Sequence, residues 1–364
     1  MNSNEFLATR CHRTEDPTSF PTNVLPSRYV AIMNSLSRGP WIDLHAHPGR
    51  CFLEGNTPES PWRALLGDSV CGEVLKNVPT PPFAAISVSS VSDLAVLGVT
   101  PDGGLAAVRP FEEGEAYRDH RRQVDGVVSM LATERIALAR CAADITRAHE
   151  SGELVAILSC EGADFAESLF DSVFELRDLG VRIVTLVHYR ANAFADPQTE
   201  PERHGGLSDD GRRLVHALNH QNILIDLAHA TLATTRDVLE ISTAPIVISH
   251  THLQPRDADH ARLISREHAR IVADAGGLIG AWPSGLTSTT LDDFVSEVLR
   301  LVDTVGVEHV AVGTDMDANY RPVLDHYDQF GDVNDRLVAR GLHQHEVERI
   351  LGTNVLELFR AVCG

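Results

Sequence analysis

Ile223-Leu224-Ile225-Asp226-Leu227-Ala228-His229 leads into a helical pattern over Leu232–Ile241, and Pro245-Ile246-Val247-Ile248-Ser249-His250 follows it. Both apolar runs are short and continuous rather than alternating. That is the pattern of a parallel strand covered on both faces. Working outward, runs of the same kind lie at Trp41–His45, Phe83–Ser89, Leu154–Cys160, Ile183–His188, Leu278–Ala281 and Val310–Thr314. Helical patterns over Thr133–Glu150, Ser168–Leu179, Asp209–His220, Glu267–Ala275 and Leu291–Val305 separate them. Eight strands with intervening helices predict the α/β class, as a (β/α)8 TIM barrel rather than an open sheet.

Residues 1–40 carry Pro21, Pro26 and Pro40 with little periodicity and read as an N-terminal extension, with one short helix near Arg28–Leu36. Residues 41–364 then form a single barrel domain. Its weakest stretch, around 90–132, reads as an insertion over the barrel mouth, with turn signals at Pro101-Asp102 and Gly103-Gly104.

Lys and Arg number 31 against 51 Asp and Glu, a formal charge of −20. That balance argues against nucleic acid or an anionic membrane as partner, because phosphate rewards the opposite sign. No run approaches the roughly 18 apolar residues that a membrane helix needs. The opening MNSNEFLATRCHRTEDPTSF has no apolar core, and the six cysteines show no C-x-x-C spacing. The expectation is a cytoplasmic protein with reduced thiols.

In such a barrel, chemistry sits at the carboxyl ends of the strands. The first strand runs into His45-Ala46-His47, and a period of two would put both imidazoles on one side. The third ends in Cys160-Glu161-Gly162, the fourth in His188, the fifth in His229, the sixth in His250 and the eighth in Gly313-Thr314-Asp315. Each alone is better read as a hydrogen-bonded structural residue. Their joint occurrence on one rim predicts a metal centre. Imidazoles with a shared carboxylate suit Zn²⁺, and Mn²⁺ or Co²⁺ would also fit. A carboxylate such as Glu161 is able to bridge two ions, and the donors outnumber what one tetrahedral zinc uses, so the count favours two. Asp43 and Asp226 read as supports, Cys160 as a packed thiol, and His268 and the other helical histidines as solvated.

Gly206-Leu207-Ser208 through Gly211, the Asp226-Leu227-Ala228-His229 strand end, the Pro245 to His250 strand end, VAVGTDMDA around Asp315 and the terminal GTNVLELFRAV together resemble the membrane dipeptidase (renal dipeptidase) family of the amidohydrolase superfamily. The resemblance runs from about Trp41 to Val362, omitting much of 50–150. It implies a two-zinc enzyme that cleaves small dipeptides with a metal-bridging hydroxide. His45, His47 and Glu161 would hold one zinc, and Glu161, His229 and His250 the other. Asp315 would shuttle the proton, and His188 would lie against the substrate carbonyl. The substrate carboxylate would meet Arg262, with Arg256 as the competing assignment. Small-molecule substrates and a homodimer are further expectations of the family.

The chain departs from the family where His47 replaces an aspartate, where Ala163-Asp164 follows Glu161, and where strand seven ends in Trp282-Pro283. The first two departures motivate an alternative, a related amidohydrolase acting on N-acyl amino acids, lactams or lactones. A non-catalytic barrel is the other rival, and the full ligand set argues against it.

Overall fold

A computed structural model of the chain describes residues 39–57, 62–63, 71–100, 104–255 and 260–364. The helix expected near Arg28–Leu36, and Arg256, lie outside these residues. Eight parallel strands follow one another in chain order: β1 (Trp41–Asp43), β2 (Phe83–Val91), β3 (Val155–Glu161), β4 (Val181–Thr185), β5 (Leu224–Asp226), β6 (Val247–Thr251), β7 (Leu278–Ala281) and β8 (Val310–Val312). The seam between β8 and β1 closes just beyond the strands. Leu44 N–H donates to Val312 O at 3.0 Å, Asp315 N–H to His45 O at 2.8 Å and His47 N–H to Met316 O at 2.9 Å. The fold is the (β/α)8 barrel that the sequence predicts.

The continuous apolar runs are buried on both faces for the expected reason. Ile42, Ile157, Leu224, Val247 and Leu278 fill the barrel, together with Val355 and Phe359 of the C-terminal helix α7 (Asn354–Cys363). The opposite faces pack under α3 (Asp209–His220), α4 (Leu232–Ile241), α5 (Arg266–Asp274) and α6 (Leu291–Val305). Ser208, Thr231, Ser265 and Thr290 cap these four helices, each side chain accepting a first-turn amide.

Several expected boundaries move. β1 stops at Asp43, so His45 and His47 lie past the strand rather than on its alternating face. The cause is the Asp43 carboxylate, which accepts from His45 N–H at 3.3 Å and Thr314 N–H at 3.0 Å and bends the chain. β2 runs to Val91, two residues beyond the expected Ser89. The helix expected over Thr133–Glu150 is broken: its first two residues end α1 (Glu115–Glu134), which fills the latter part of the 90–132 stretch, a short strand follows at Ala137–Leu138, and α2 (Ala142–Ser151) takes the rest. Arg135, with φ 59°, ends the first in the left-handed region. Between β2 and α1, Leu97–Val99 and Leu105–Ala107 pair as an antiparallel hairpin. The stretch expected as Ser168–Leu179 opens as a 3-10 turn and becomes α-helical only over Leu176–Leu179.

Candidate metal centre and substrate pocket

The rim is built by carboxylates that tie neighbouring strands together. Asp43 joins β1 to β8 through Thr314, whose hydroxyl it accepts at 2.5 Å. Asp226 joins β4, β5 and β6, accepting from Thr185 Oγ1 at 2.7 Å, Ser249 N–H at 2.9 Å and Ser249 Oγ at 2.6 Å. His229 and Asp315 take left-handed backbone, φ 67° and 54°. Non-glycine residues in that region mark places where the surroundings over-determine the chain.

Glu161 stands at the middle of the imidazoles. Its Oε2 lies 3.2 Å from His47 Nε2 and 3.5 Å from His188 Nε2. Its Oε1 lies 2.9 Å from His229 Nε2, 3.5 Å from His250 Nε2 and 3.6 Å from His45 Nε2. His45 and His47 bring their Nε2 atoms within 3.3 Å, and His229 and His250 within 3.1 Å. Asp315 Oδ1 is 3.4 Å from His47 Nε2. The sequence-predicted residues on the rim are thus gathered in one buried cluster.

The tautomers follow from the outer bonds. His47 Nδ1 faces the Ser89 carbonyl at 2.9 Å, which only accepts, so Nδ1 carries the hydrogen. Ser249 spends its hydroxyl hydrogen on Asp226, so its oxygen accepts from His250 Nδ1–H at 3.0 Å. The Arg262 guanidinium only donates, so His229 Nε2 accepts from it at 3.1 Å. His229 Nδ1–H is buried and meets no acceptor among the described residues. His47 and His250 therefore turn Nε2 lone pairs toward Glu161, while that of His229 is taken by Arg262.

Burial alone would depress His45, but the Glu161 carboxylate beside it raises it to about 9. Burial likewise opposes charging of His188, and Asp93 and Glu161 raise it to about 9. Burial would lift Glu161, yet His188 and His45 hold it well below the usual carboxylate range. Burial pushes Asp315 up to about 6 against the pull of His47. His229 and His250 are held well below 6.5 by burial and then by Arg262 and His45 respectively. Here protons on His45 and His188 offset the Glu161 charge. Converging lone pairs around a central carboxylate are the donor set of a divalent ion, and the residues fit one. The triplets His45/Glu161/His250, His45/His47/Asp315 and Glu161/His188/His229 each bring their ligand atoms within 4.8 Å of one another.

A cavity of about 350 Å³ opens onto this cluster and is lined by His47, Glu161, His188, His229, Asp315 and Arg262. Arg262 is buried, donates to Gln198 Oε1 at 3.0 Å and lies 5.2 Å from the Trp282 ring. Sequence reasoning missed Asp93, whose Oδ1 accepts from His188 Nδ1 at 2.7 Å and whose Oδ2 accepts from Tyr189 N–H at 3.2 Å. With β2 ended at Ser89, Asp93 looked like a loop residue. With β2 ending at Val91 it is a strand-end carboxylate like the others. The departure at Asp164 does not reach the cavity lining, because Asp164 pairs with Arg190 at 2.6 Å. His268, expected in solvent, is buried and bonded to Thr235 Oγ1 at 2.7 Å. It sits on the inner face of α5, which a stretch so rich in charge concealed. Cys160 is packed against His120, and burial pushes its thiol up to about 12.

Fold and cluster define the class, the metal-dependent hydrolase barrels. Residues 99–363 match the membrane dipeptidase family, peptidase family M19, and the chain belongs to that family. It is 29% identical over 257 residues to dipeptidase verJ of Clonostachys rogersoniana, a match covering 68% of this chain and 66% of that protein. With dipeptidase tcpJ of Claviceps purpurea it shares 28% identity, over 68% of this chain and 60% of the relative. The chain thus matches just under two thirds of the length of these relatives. Among solved structures, a dipeptidase of family M19 superposes with a TM-score of 0.74 at 20% identity, covering 90% of this chain and 99% of the other. A metallo peptidase from Rhodobacter sphaeroides, solved with a phosphinate mimic of the dipeptide L-Ala-D-Ala, superposes at 0.73 with 19% identity, covering 89% and 99%. Among the described residues no helix is long and apolar enough to cross a membrane.

Proposed function

We propose that this chain binds two divalent metal ions, zinc foremost, and hydrolyses the amide bond of small dipeptides. The observation that carries the reading is the convergence of the His45, His47, His229 and His250 Nε2 atoms on the two oxygens of Glu161, at the floor of a cavity that also holds Arg262. His45 and His47 with Glu161 would hold one ion, and His229 and His250 with Glu161 the other. Bound there, the ions supply Lewis acidity toward the scissile carbonyl and make hydroxide available near neutral pH.

The chain's own groups supply the rest. Asp93 fixes the ring of His188 through Nδ1, leaving Nε2–H as a donor to oxygen charge that develops on the carbonyl. Asp315, whose Oδ1 lies 3.4 Å from His47 Nε2 and which lines the cavity, accepts a proton from attacking water and returns it to the departing amine, which leaves poorly unless protonated. The Arg262 contact with His229 Nε2 is incompatible with that nitrogen ligating a cation. Once released, the guanidinium fork suits the substrate's C-terminal carboxylate. The 350 Å³ cavity is at the small end of ligand pockets, as a dipeptide requires.

One departure bears on a second reading. His47 lines the cavity where the family places an aspartate, which removes a negative charge from the surroundings of a substrate amino group. An N-acyl amino acid, lactam or lactone lacks that ammonium. Zinc-reconstituted enzyme assayed on L,L- and L,D-dipeptides beside N-acyl amino acids, lactams and lactones decides between them. Turnover confined to the latter group rules out the dipeptide reading. Less than one zinc per chain after supplementation rules out the two-metal site.

A further inference from the structure

We propose that the residue on the acyl side of the scissile bond carries a large apolar side chain, aromatic or branched, received by a wall of Phe52, Trp62, Val91, Leu94, Leu97 and Leu105. The inference rests on the dipeptidase reading above and adds the class of side chain to it. Arg262 follows β6 and Trp282 follows β7, so the carboxylate end of a substrate is anchored on that side of the ring. In an eight-stranded ring β2 stands four strands from β6, on the far side of the metal cluster. A substrate held by Arg262 that crosses the cluster places its acyl residue over the β2 sector.

That sector is apolar. Phe52, Val91, Leu94 and Leu97 pack into one cluster, apart from the barrel core, with Trp62 and Tyr189 against it. The Trp62 indole N–H donates to Leu94 O at 2.8 Å, so its polar atom is satisfied and the ring faces the cavity. Leu105 and Val99 come from the hairpin that follows β2, line the same cavity, and are 40% and 57% exposed. Large apolar side chains held in water at a cavity mouth gain from a ligand that covers them. The charged lining residues Arg50 and Asp317 sit instead beside β1 and β8. A glycine or alanine on the acyl side would leave Leu105, Val99 and the half-buried Trp62 wet, while a phenylalanine or leucine covers them and reaches the buried side chains behind.

The test is a series of X-Ala dipeptides, X being Gly, Ala, Asp, Leu or Phe, on the full-length zinc-reconstituted chain. The expected kcat/KM for Phe-Ala and Leu-Ala is about 10- to 100-fold above Ala-Ala, with Asp-Ala lowest. A flat or inverted series overturns the apolar wall and leaves the dipeptidase reading standing. No turnover of any X-Ala overturns both. Leu105→Asp is expected to lower the Phe-Ala to Ala-Ala ratio by at least about threefold, and Leu105→Ala gives a milder version of the same loss. An unchanged ratio in both variants overturns the proposal.

Discussion

The Ser249 hydroxyl has one hydrogen, and Asp226 takes it at 2.6 Å. Its oxygen then orients His250 with the Nε2 lone pair inward. Ser249→Ala removes the acceptor for His250 Nδ1–H and is expected to weaken zinc binding at the His229/His250 position by about 10- to 100-fold. Zinc titration against a competing chelator reads this, and unchanged affinity would show that the relay does not matter. Asp315 is a different case, since the proposed arrangement gives it a proton to carry rather than an ion to hold. Asp315→Asn should keep both metals while kcat falls by about 10²- to 10⁴-fold. A variant with two zincs and full turnover would sink the proton-shuttle role. The residues named in advance were those for which a strand end and a residue type coincide. Asp93 escaped because residue type was legible but the end of β2 was misplaced by two positions. The tautomers were not legible at all, because Ser89 and Ser249 act through contacts that one strand's sequence does not show.

At the scale of elements, glycine sets how closely β6, β7 and β8 approach. A Cβ on Gly280 would stand 1.8 Å from Ser249 O, and one on Gly313 2.0 Å from the same atom. No flexible side chain is there to give way, so the backbone preceding His250 would have to move. Gly280→Ala is expected to cost about 1–3 kcal/mol or more, read by thermal melting, and to lower zinc affinity with it. A wild-type Tm would contradict the close approach. Helices with a hydroxyl cap and a one-sided apolar stripe, α3, α4 and α6, were legible to the residue. The hairpin within the 90–132 stretch was not, for a physical reason. Leu97, Val99 and Leu105 face a cavity, so they carry the periodicity of neither a core strand nor a core helix.

For the whole molecule, the barrel was legible because parallel strands covered on both faces leave runs that few other folds produce. The solvent side was harder to read, and buried histidines in it bear on stability. Burial holds His268 down to about 4, and His120 and His252 to about 3, from the ordinary 6.5. His120 is stacked on Phe165 at 4.2 Å. Below pH 6.5 the unfolded chain binds protons on these imidazoles that the folded chain refuses, so unfolding takes up protons and stability falls with pH. The contribution of each neutral imidazole is fully present above 6.5 and is lost progressively down to its folded value. For His268 the loss is about 2 kcal/mol at pH 5 and approaches about 3 kcal/mol below pH 4. Urea unfolding at pH 7, 6, 5 and 4.5 should show a steady decline. His268→Gln, less stable at pH 7 for want of the imidazole's packing, should decline less steeply over the same range. Equal slopes for the variant and the parent would mean that His268 charges without cost, and that its burial against Thr235 is not what makes the barrel acid-labile.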